Sequence, residues 1–197
     1  MSNQTKDTRR HILAIGRGLT AKRGYTGVGL TELLAAADVP KGSFYHYFAS
    51  KEAYGCALLE DFMRKYREDL SSTLLNPQRG ARERFLGYFE SWLKKQTGPD
   101  LHDRCLVVKL SAEVADLSDG MSKILERGVA DIISHLTQTL EQGVADGSIG
   151  PLRDPKSVAQ SIYHQWLGAS LVAGLSHNDA PLKAAMEMTA QAVAPTL

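Results

Sequence analysis

The segment Thr31–Lys51, TELLAAADVPKGSFYHYFASK, constrains the fold of this chain more than any other. Its pattern predicts two short helices joined by a three-residue turn. Pro40 has no backbone N–H and disfavours a helical conformation at Val39, so the first helix must end before them. Thr31 is expected to cap that first helix, and Glu32 adds an acid to its first turn, where the helix dipole favours it.

The second helix is predicted to begin near Lys41 and to have two unlike faces. Phe44, Tyr47 and Phe48 recur at i, i+3 and i+4 and are expected to lie in the core. The opposite face is basic, hydroxyl-bearing and aromatic, carries no acid, and comprises Lys41, Ser43, Tyr45 and His46. Phosphates and base edges are best met by such a surface. Gly42 would let a partner approach the helix start, where exposed N–H groups favour a phosphate.

An ordinary helical hairpin with a solvated polar face is the alternative interpretation. Four features together favour nucleic-acid binding instead: small residues in the first helix, the turn length, apolar Val39 in the turn, and the acid-free face. The helix-turn-helix motif has this arrangement, with its second helix in the major groove of DNA.

The run VPKGSFYHYFASKEA, residues 39–53, resembles the DNA-binding signature of TetR-type transcriptional regulators. The resemblance extends over about residues 8–60. It implies an all-α homodimer with a three-helix helix-turn-helix domain at 1–50 and a helical effector-binding and dimerisation domain at 51–197. The implied partners are a near-palindromic double-stranded DNA operator and a small-molecule effector that releases a repressor from it. The DNA-binding residues implied on this chain, or predicted above, are Thr31, Lys41, Gly42, Ser43, Tyr45, His46 and Lys51.

The distribution of charge agrees with a local DNA contact surface. The net charge of the 197 residues is +1, yet residues 1–55 hold eight basic and four acidic side chains. A basic N-terminal quarter on a mildly acidic remainder suggests where a polyanion would bind. A solvated run of charges would look the same, so charge alone does not decide.

Helical periodicity runs through the rest of the chain, and no convincing alternating strand occurs. Helix breaks are predicted at Gly24, Pro77 and Gly147. Ser50 and Asp154, the latter followed by a proline, are predicted helix N-caps.

The helix predicted over about 154–175 is apolar on nearly all sides and therefore needs burial on nearly all sides. Burial within one domain would satisfy this requirement. The other solution, which the family resemblance favours, is a dimer interface shared with a last helix over about 181–193. Gly168, Ala169 and Ala173 would allow close approach there.

Aromatic residues of the second domain are the candidate lining of an effector site, and ordinary core packing is the alternative for each of them. The candidates that we select are Phe89, Trp92, Tyr163 and Trp166. His102, His135 and His164 are polar candidates, although a structural histidine is the more common case.

Cys105 is a candidate sensor because it falls at a predicted helix N-terminus, where amide groups and the helix dipole stabilise a thiolate. His102, Arg104 and Lys109 place positive or ionisable groups nearby in sequence. The run Cys105–Glu113, CLVVKLSAE, is similar to a subgroup of the family that responds to reactive electrophiles or small unsaturated compounds. A small buried residue without chemistry is the alternative. Cys56, beside leucines in a long helix, is interpreted as a packing residue.

Two cysteines make no disulfide framework, and no metal-type spacing occurs, so we expect neither a metal nor a cofactor. The N-terminus lacks the apolar core of a signal peptide, and a cytoplasmic location is expected. A thiol hydrolase using Cys105 with His102 or His164 is a second hypothesis, but no oxyanion loop or nucleophile elbow accompanies them. A DNA-bound protein without an effector is a third.

Overall fold

The computed structural model describes residues 3–99 and 105–196. Within these ranges the chain forms nine helices and no strand, which confirms the all-α prediction. The helices are α1 (Asn3–Arg23), α2 (Leu30–Ala37), α3 (Lys41–Tyr47), α4 (Lys51–Leu74), α5 (Ala81–Thr97), α6 (Leu106–Ala115), α7 (Asp119–Ala145), α8 (Pro155–Ser176) and α9 (Ala180–Ala192).

The helices group into two compact units. Unit 1 holds the described residues of Met1–Lys65 and Asp100–Arg127, and unit 2 holds those of Tyr66–Pro99 and Gly128–Leu197. Helix α6 and the start of α7 therefore pack with the N-terminal helices. This division by packing differs from the predicted functional boundary at residue 50, which stays a prediction.

The turn between α2 and α3 has the predicted length of three residues. Asp38 ends α2 in the left-handed conformation, with φ 50°, and the N–H of Val39 donates to the carbonyl of Leu34 at 3.1 Å. This bond satisfies a carbonyl group at the helix end that would otherwise lack a partner. Pro40 then occupies the N-cap of α3 in an extended conformation, so its missing N–H costs nothing.

Two predicted helix caps are present as hydrogen bonds, and one is not. Ser50 Oγ accepts from Ala53 N at 3.0 Å, and Asp154 Oδ1 accepts from Ser157 N at 3.1 Å. Thr31 was wrongly predicted to cap α2: the N-cap is Gly29, in an extended conformation and without a side-chain hydrogen bond. Because α2 begins one residue before Thr31, that side chain lies exposed in the first helical turn.

Unit 2 is built around the buried faces of α5, α8 and α9. Arg82 joins the start of α5 to the end of α9, since its Nε donates to Val193 O at 2.8 Å. Its backbone N–H donates to Ser148 Oγ at 3.3 Å, which ties in the loop after α7. Charge-assisted bonds of this kind stabilise a helix end by satisfying its last carbonyl groups.

Candidate nucleic-acid interface and effector region

Helix α3 is held in place by aromatic packing on its inner face. Phe44 is fully buried, and its ring centroid lies 5.2 Å from that of Phe48 and 5.6 Å from that of Tyr54 on α4. The guanidinium of Arg9 covers the ring of Phe48 at 5.3 Å, adding a cation–π contact from α1. Tyr47, which was expected in the core, is only half-buried: α3 ends at this residue, and the chain is extended at Phe48, which is buried.

The outer face of α3 is exposed and contains no acidic residue. Lys41, Gly42 and His46 are exposed, Ser43 is half-buried, and Tyr45 is 48% exposed. The ammonium group of Lys41 lies 6.0 Å from the ring centroid of Tyr45. The structure therefore brings these five predicted DNA-binding residues together on one short helix.

Lys51 begins α4, separated from the end of α3 by three residues, and contacts Tyr25. The hydroxyl of Tyr25 donates to Lys51 O at 2.7 Å, and the ammonium group of Lys51 lies 4.9 Å from the Tyr25 ring centroid. This cation–π contact limits the conformations of the lysine side chain. Thr31 lies at the other end of the hairpin, on the first turn of α2.

The four aromatic effector candidates form one buried cluster in unit 2. Phe89 and Trp166 have ring centroids 4.9 Å apart, and those of Trp92 and Tyr163 are 5.5 Å apart. Both indole N–H groups donate to hydroxyls of the same unit, Trp92 to Ser170 at 3.0 Å and Trp166 to Thr189 at 2.9 Å. Since buried indole N–H groups need hydrogen-bond partners, these two bonds are explained by core packing alone.

Cys105 is the N-cap of α6, as predicted, and is 8% exposed. It belongs to unit 1, whereas the aromatic cluster belongs to unit 2. Lys109 lies exposed one turn further along α6. His102 and Arg104, which were invoked beside this cysteine, lie outside the described residues.

The remaining candidates have ordinary structural surroundings. Nδ1 of His135 donates to the carbonyl of Asp131 at 2.8 Å, and His164 is exposed. Burial, reinforced by the charges of Glu52 and Glu60, raises the pKa of the Cys56 thiol. A thiol held protonated in this way is a poor nucleophile, in agreement with the packing role inferred for Cys56.

Glu113 is a contact residue that sequence reasoning did not select. Its carboxylate accepts hydrogen bonds from the backbone N–H groups of Tyr25 and Thr26 and from the Thr26 hydroxyl. The partners are 87 and 88 residues away in sequence, so no local pattern announces the contact.

Within residues 3–99 and 105–196, no helix combines the length and the apolar character needed to cross a membrane.

Comparison with known proteins agrees with the geometry of α2 and α3. The family profile described as "Bacterial regulatory proteins, tetR family" matches residues 12–53, and the profile "Tetracyclin repressor-like, C-terminal domain" matches residues 81–189. The matched N-terminal range includes the whole predicted helix-turn-helix hairpin.

Relatives match over nearly the full length. The chain is 42% identical over 180 residues to the HTH-type transcriptional repressor NemR of Escherichia coli (strain K12), covering 91% of this chain and 90% of that protein. It is 30% identical over 188 residues to the HTH-type transcriptional repressor DhaR of Mycobacterium sp. (strain GP1), covering 95% and 93%. The crystal structure of the reduced form of E. coli NemR matches with a TM-score of 0.91 and 42% identity, covering 96% of this chain and 98% of that one. The chain therefore belongs to the TetR family of bacterial transcriptional regulators, with an N-terminal helix-turn-helix.

Proposed function

We propose that this protein is a dimeric cytoplasmic repressor that binds a near-palindromic operator through α3 and leaves it when a small-molecule effector binds. The exposed, acid-free outer face of α3, with Lys41, Tyr45 and His46 above an aromatic core, is the observation that carries the proposal. The relatives named as HTH-type transcriptional repressors support repression. They also favour a regulator over the thiol hydrolase considered from the sequence.

A second copy of the chain is the partner that we assign to α8 and α9. Leu171, Val172 and Leu175 are exposed along one side of α8, and Met188 is exposed on α9. Exposed apolar side chains clustered on adjacent helices favour a protein interface, and a two-fold dimer would present two copies of α3 to successive turns of DNA. Gly168 has open space around it and suits close approach. Ala173 does not, because it is buried within its own unit.

The functional division that we propose places DNA binding in residues 1–50 and effector response with dimerisation in 51–197.

Two sites are candidates for binding the effector. A reactive electrophile would form a bond with the sulfur of Cys105 at the start of α6, whereas a non-covalent ligand would enter the region of the aromatic cluster. An effector acts only through its different affinities for the DNA-binding and released states. A DNA-binding protein without any effector is the remaining alternative.

Substitution of Tyr45 tests the DNA interface. Selection from random double-stranded DNA should first yield a near-palindromic site. Tyr45→Phe is expected to weaken binding to that site at least tenfold, because a hydrogen bond to a charged phosphate contributes about 1.5–3 kcal/mol. The loss in affinity should be similar for DNA sites in which operator bases have been changed, since a phosphate contact carries no sequence information.

A matched control for this measurement is Tyr88→Phe. It removes a partly buried hydroxyl group of unit 2 that is hydrogen-bonded to the hydroxyl of Tyr66. That variant should retain wild-type affinity in fluorescence anisotropy titrations. Full affinity in Tyr45→Phe would refute the phosphate contact, and binding without sequence preference in the wild type would refute the operator proposal.

Selective alkylation tests Cys105 as the sensor. With substoichiometric N-ethylmaleimide at neutral pH, the folded protein should be labelled at Cys105 before Cys56, as measured by peptide mass spectrometry. The helix N-terminus favours a thiolate at Cys105, while burial and two glutamates hold Cys56 protonated. Labelling should also release operator DNA from the wild type and not from Cys105→Ser. Labelling of Cys56 first, or a labelled protein with unchanged DNA affinity, would contradict the covalent mechanism.

A further inference from the structure

The carboxylate of Glu113, on α6, binds the loop that precedes the helix-turn-helix hairpin. Three donors converge on it: Tyr25 N at 3.0 Å, Thr26 N, and the hydroxyl of Thr26. Charge-assisted bonds of this type are about twice as strong as neutral ones, and three of them fix the loop in register with α6. We call this set of contacts the Glu113 latch.

The loop is shaped to receive this carboxylate. Gly24 has a positive φ of 79°, and a Cβ there would lie only 2.7 Å from Glu113 Oε2. Burial alone would raise the pKa of Glu113, but hydrogen bonds from Thr26 and Tyr25, aided by the charge of Lys109, lower it. The latch is therefore ionised, and at full strength, near neutral pH.

The contacts continue from the loop to the far end of the hairpin. Tyr25 joins the latch to the start of α4, because its hydroxyl donates to the carbonyl of Lys51 at 2.7 Å. A second bond reaches the same helix start from the loop between α6 and α7, where Ser118 Oγ donates to Glu52 Oε1 at 2.7 Å. The segment from α6 to the start of α7 thus holds the hairpin both before α2 and after α3, and all of these residues belong to unit 1.

We propose that Glu113 is a positioning residue for operator binding: it orients the helix-turn-helix from α6 without contacting DNA. The proposal rests on the proposed operator binding by α3. A hairpin already held in one orientation loses less conformational freedom when it binds, so the latch increases affinity by preorganisation. Cys105 is the N-cap of α6 and lies about two turns before Glu113, so a change at the proposed sensor acts on the helix that carries the latch.

Neutralising Glu113 distinguishes a positioning role from a general effect of its negative charge on DNA binding. Removing an acid should strengthen binding to a polyanion, because less negative charge opposes the phosphates. We expect Glu113→Gln to do the reverse and to weaken binding to the selected operator about tenfold. Its amide keeps one acceptor oxygen, but its NH2 group replaces the other and faces a donor of the loop, and the charge that strengthens the remaining bonds is lost. Glu126→Gln, which neutralises an exposed acid on α7, is the matched control and should bind as tightly as the wild type or slightly more tightly.

Variants of Thr26 test the contact from the other side. Thr26→Val, which loses the hydroxyl donor and keeps the shape, should weaken operator binding about threefold, and Thr26→Ser should restore wild-type affinity. The double variant with Glu113→Gln should bind no more weakly than Glu113→Gln alone, because the two residues share one interaction. Affinity that is unchanged or increased in Glu113→Gln, or losses that multiply in the double variant, would overturn the proposal.

Amide hydrogen exchange tests whether the Glu113 latch forms, without any need for DNA binding. The amide protons of Tyr25 and Thr26 should exchange at least tenfold faster in Glu113→Gln than in the wild type, while those in the middle of α5 should keep their rates. Unchanged exchange at the two loop amides would show that the latch does not form, whether or not the protein binds an operator. A wild type that binds no DNA selectively would instead refute the proposed function, with the exchange result still deciding the latch.

Discussion

Leu175→Glu is expected to convert the proposed dimer to a monomer and to lower operator affinity at least a hundredfold. Leu175 is 81% exposed near the end of α8, and Leu171, one turn before it, is 55% exposed. In a two-fold interface each substitution occurs twice, and burying two unpaired carboxylates costs several kcal/mol. Operator affinity falls further because each monomer binds one half-site without the gain in effective concentration that a linked second site provides.

Sedimentation equilibrium at several protein concentrations measures the first effect, and anisotropy titration of operator DNA measures the second. Leu75→Glu is the matched control, since Leu75 is also an exposed leucine, 52% exposed immediately after α4, and lies outside α8 and α9. It should remain a dimer with wild-type affinity. A Leu175→Glu protein that stays dimeric at micromolar concentration would mean that the α8 and α9 surface is not the dimer interface.

Gly16→Ala is expected to destabilise the folded protein by about 3 kcal/mol, an effect of overpacking in a tightly packed core. A Cβ at this position of α1 would overlap the hydroxyl of Tyr54 and lie 2.9 Å from its Cζ. Tyr54 is 2% exposed and packed against Phe44 and Phe48, so its ring cannot move aside. In an open helix the same change would stabilise by up to about 1 kcal/mol, and here the steric overlap outweighs that gain.

Urea denaturation gives the free energy of unfolding for this comparison. Gly87→Ala on α5 is the control, because its nearest neighbour is an Arg79 nitrogen 4.0 Å away, and it should be neutral or slightly stabilising. Tyr54→Phe should recover part of the loss in the double variant. Its hydroxyl is buried and has no hydrogen-bond partner among the described residues, so its removal costs little. Equal stability of Gly16→Ala and Gly87→Ala would refute the predicted overlap.

Helix ends and the hairpin were predictable because their causes are local. Pro40 prevents helix continuation by its own ring, and Asp154 caps α8 with an oxygen only three residues from its partner. The prediction for Thr31 failed at this same level. Gly29 and Thr31 are both acceptable N-cap residues, and the choice between them depends on where α2 packs its first turn.

The candidate sites were predictable only as far as residue chemistry and family resemblance reach. The outer face of α3 follows from helical spacing, and the structure exposes Lys41, Tyr45 and His46 as expected. Cys105 was correctly placed at a helix start, but its unit could not be inferred from its position in the chain. The indole of Trp166 likewise gave no indication that a hydroxyl 23 residues away would accept its N–H.

Local rules and recognisable motifs in the amino-acid order thus suffice for the all-α class, most helix ends, the recognition helix and the family. Tertiary packing alone decides that Glu113 binds a loop 88 residues away, that α6 joins the N-terminal unit, and that Leu171 and Leu175 stay exposed while Trp166 is buried on the same helix. The physical reason is range: capping and helical spacing act within four residues, whereas burial and long-range hydrogen bonds depend on which helices fold against each other.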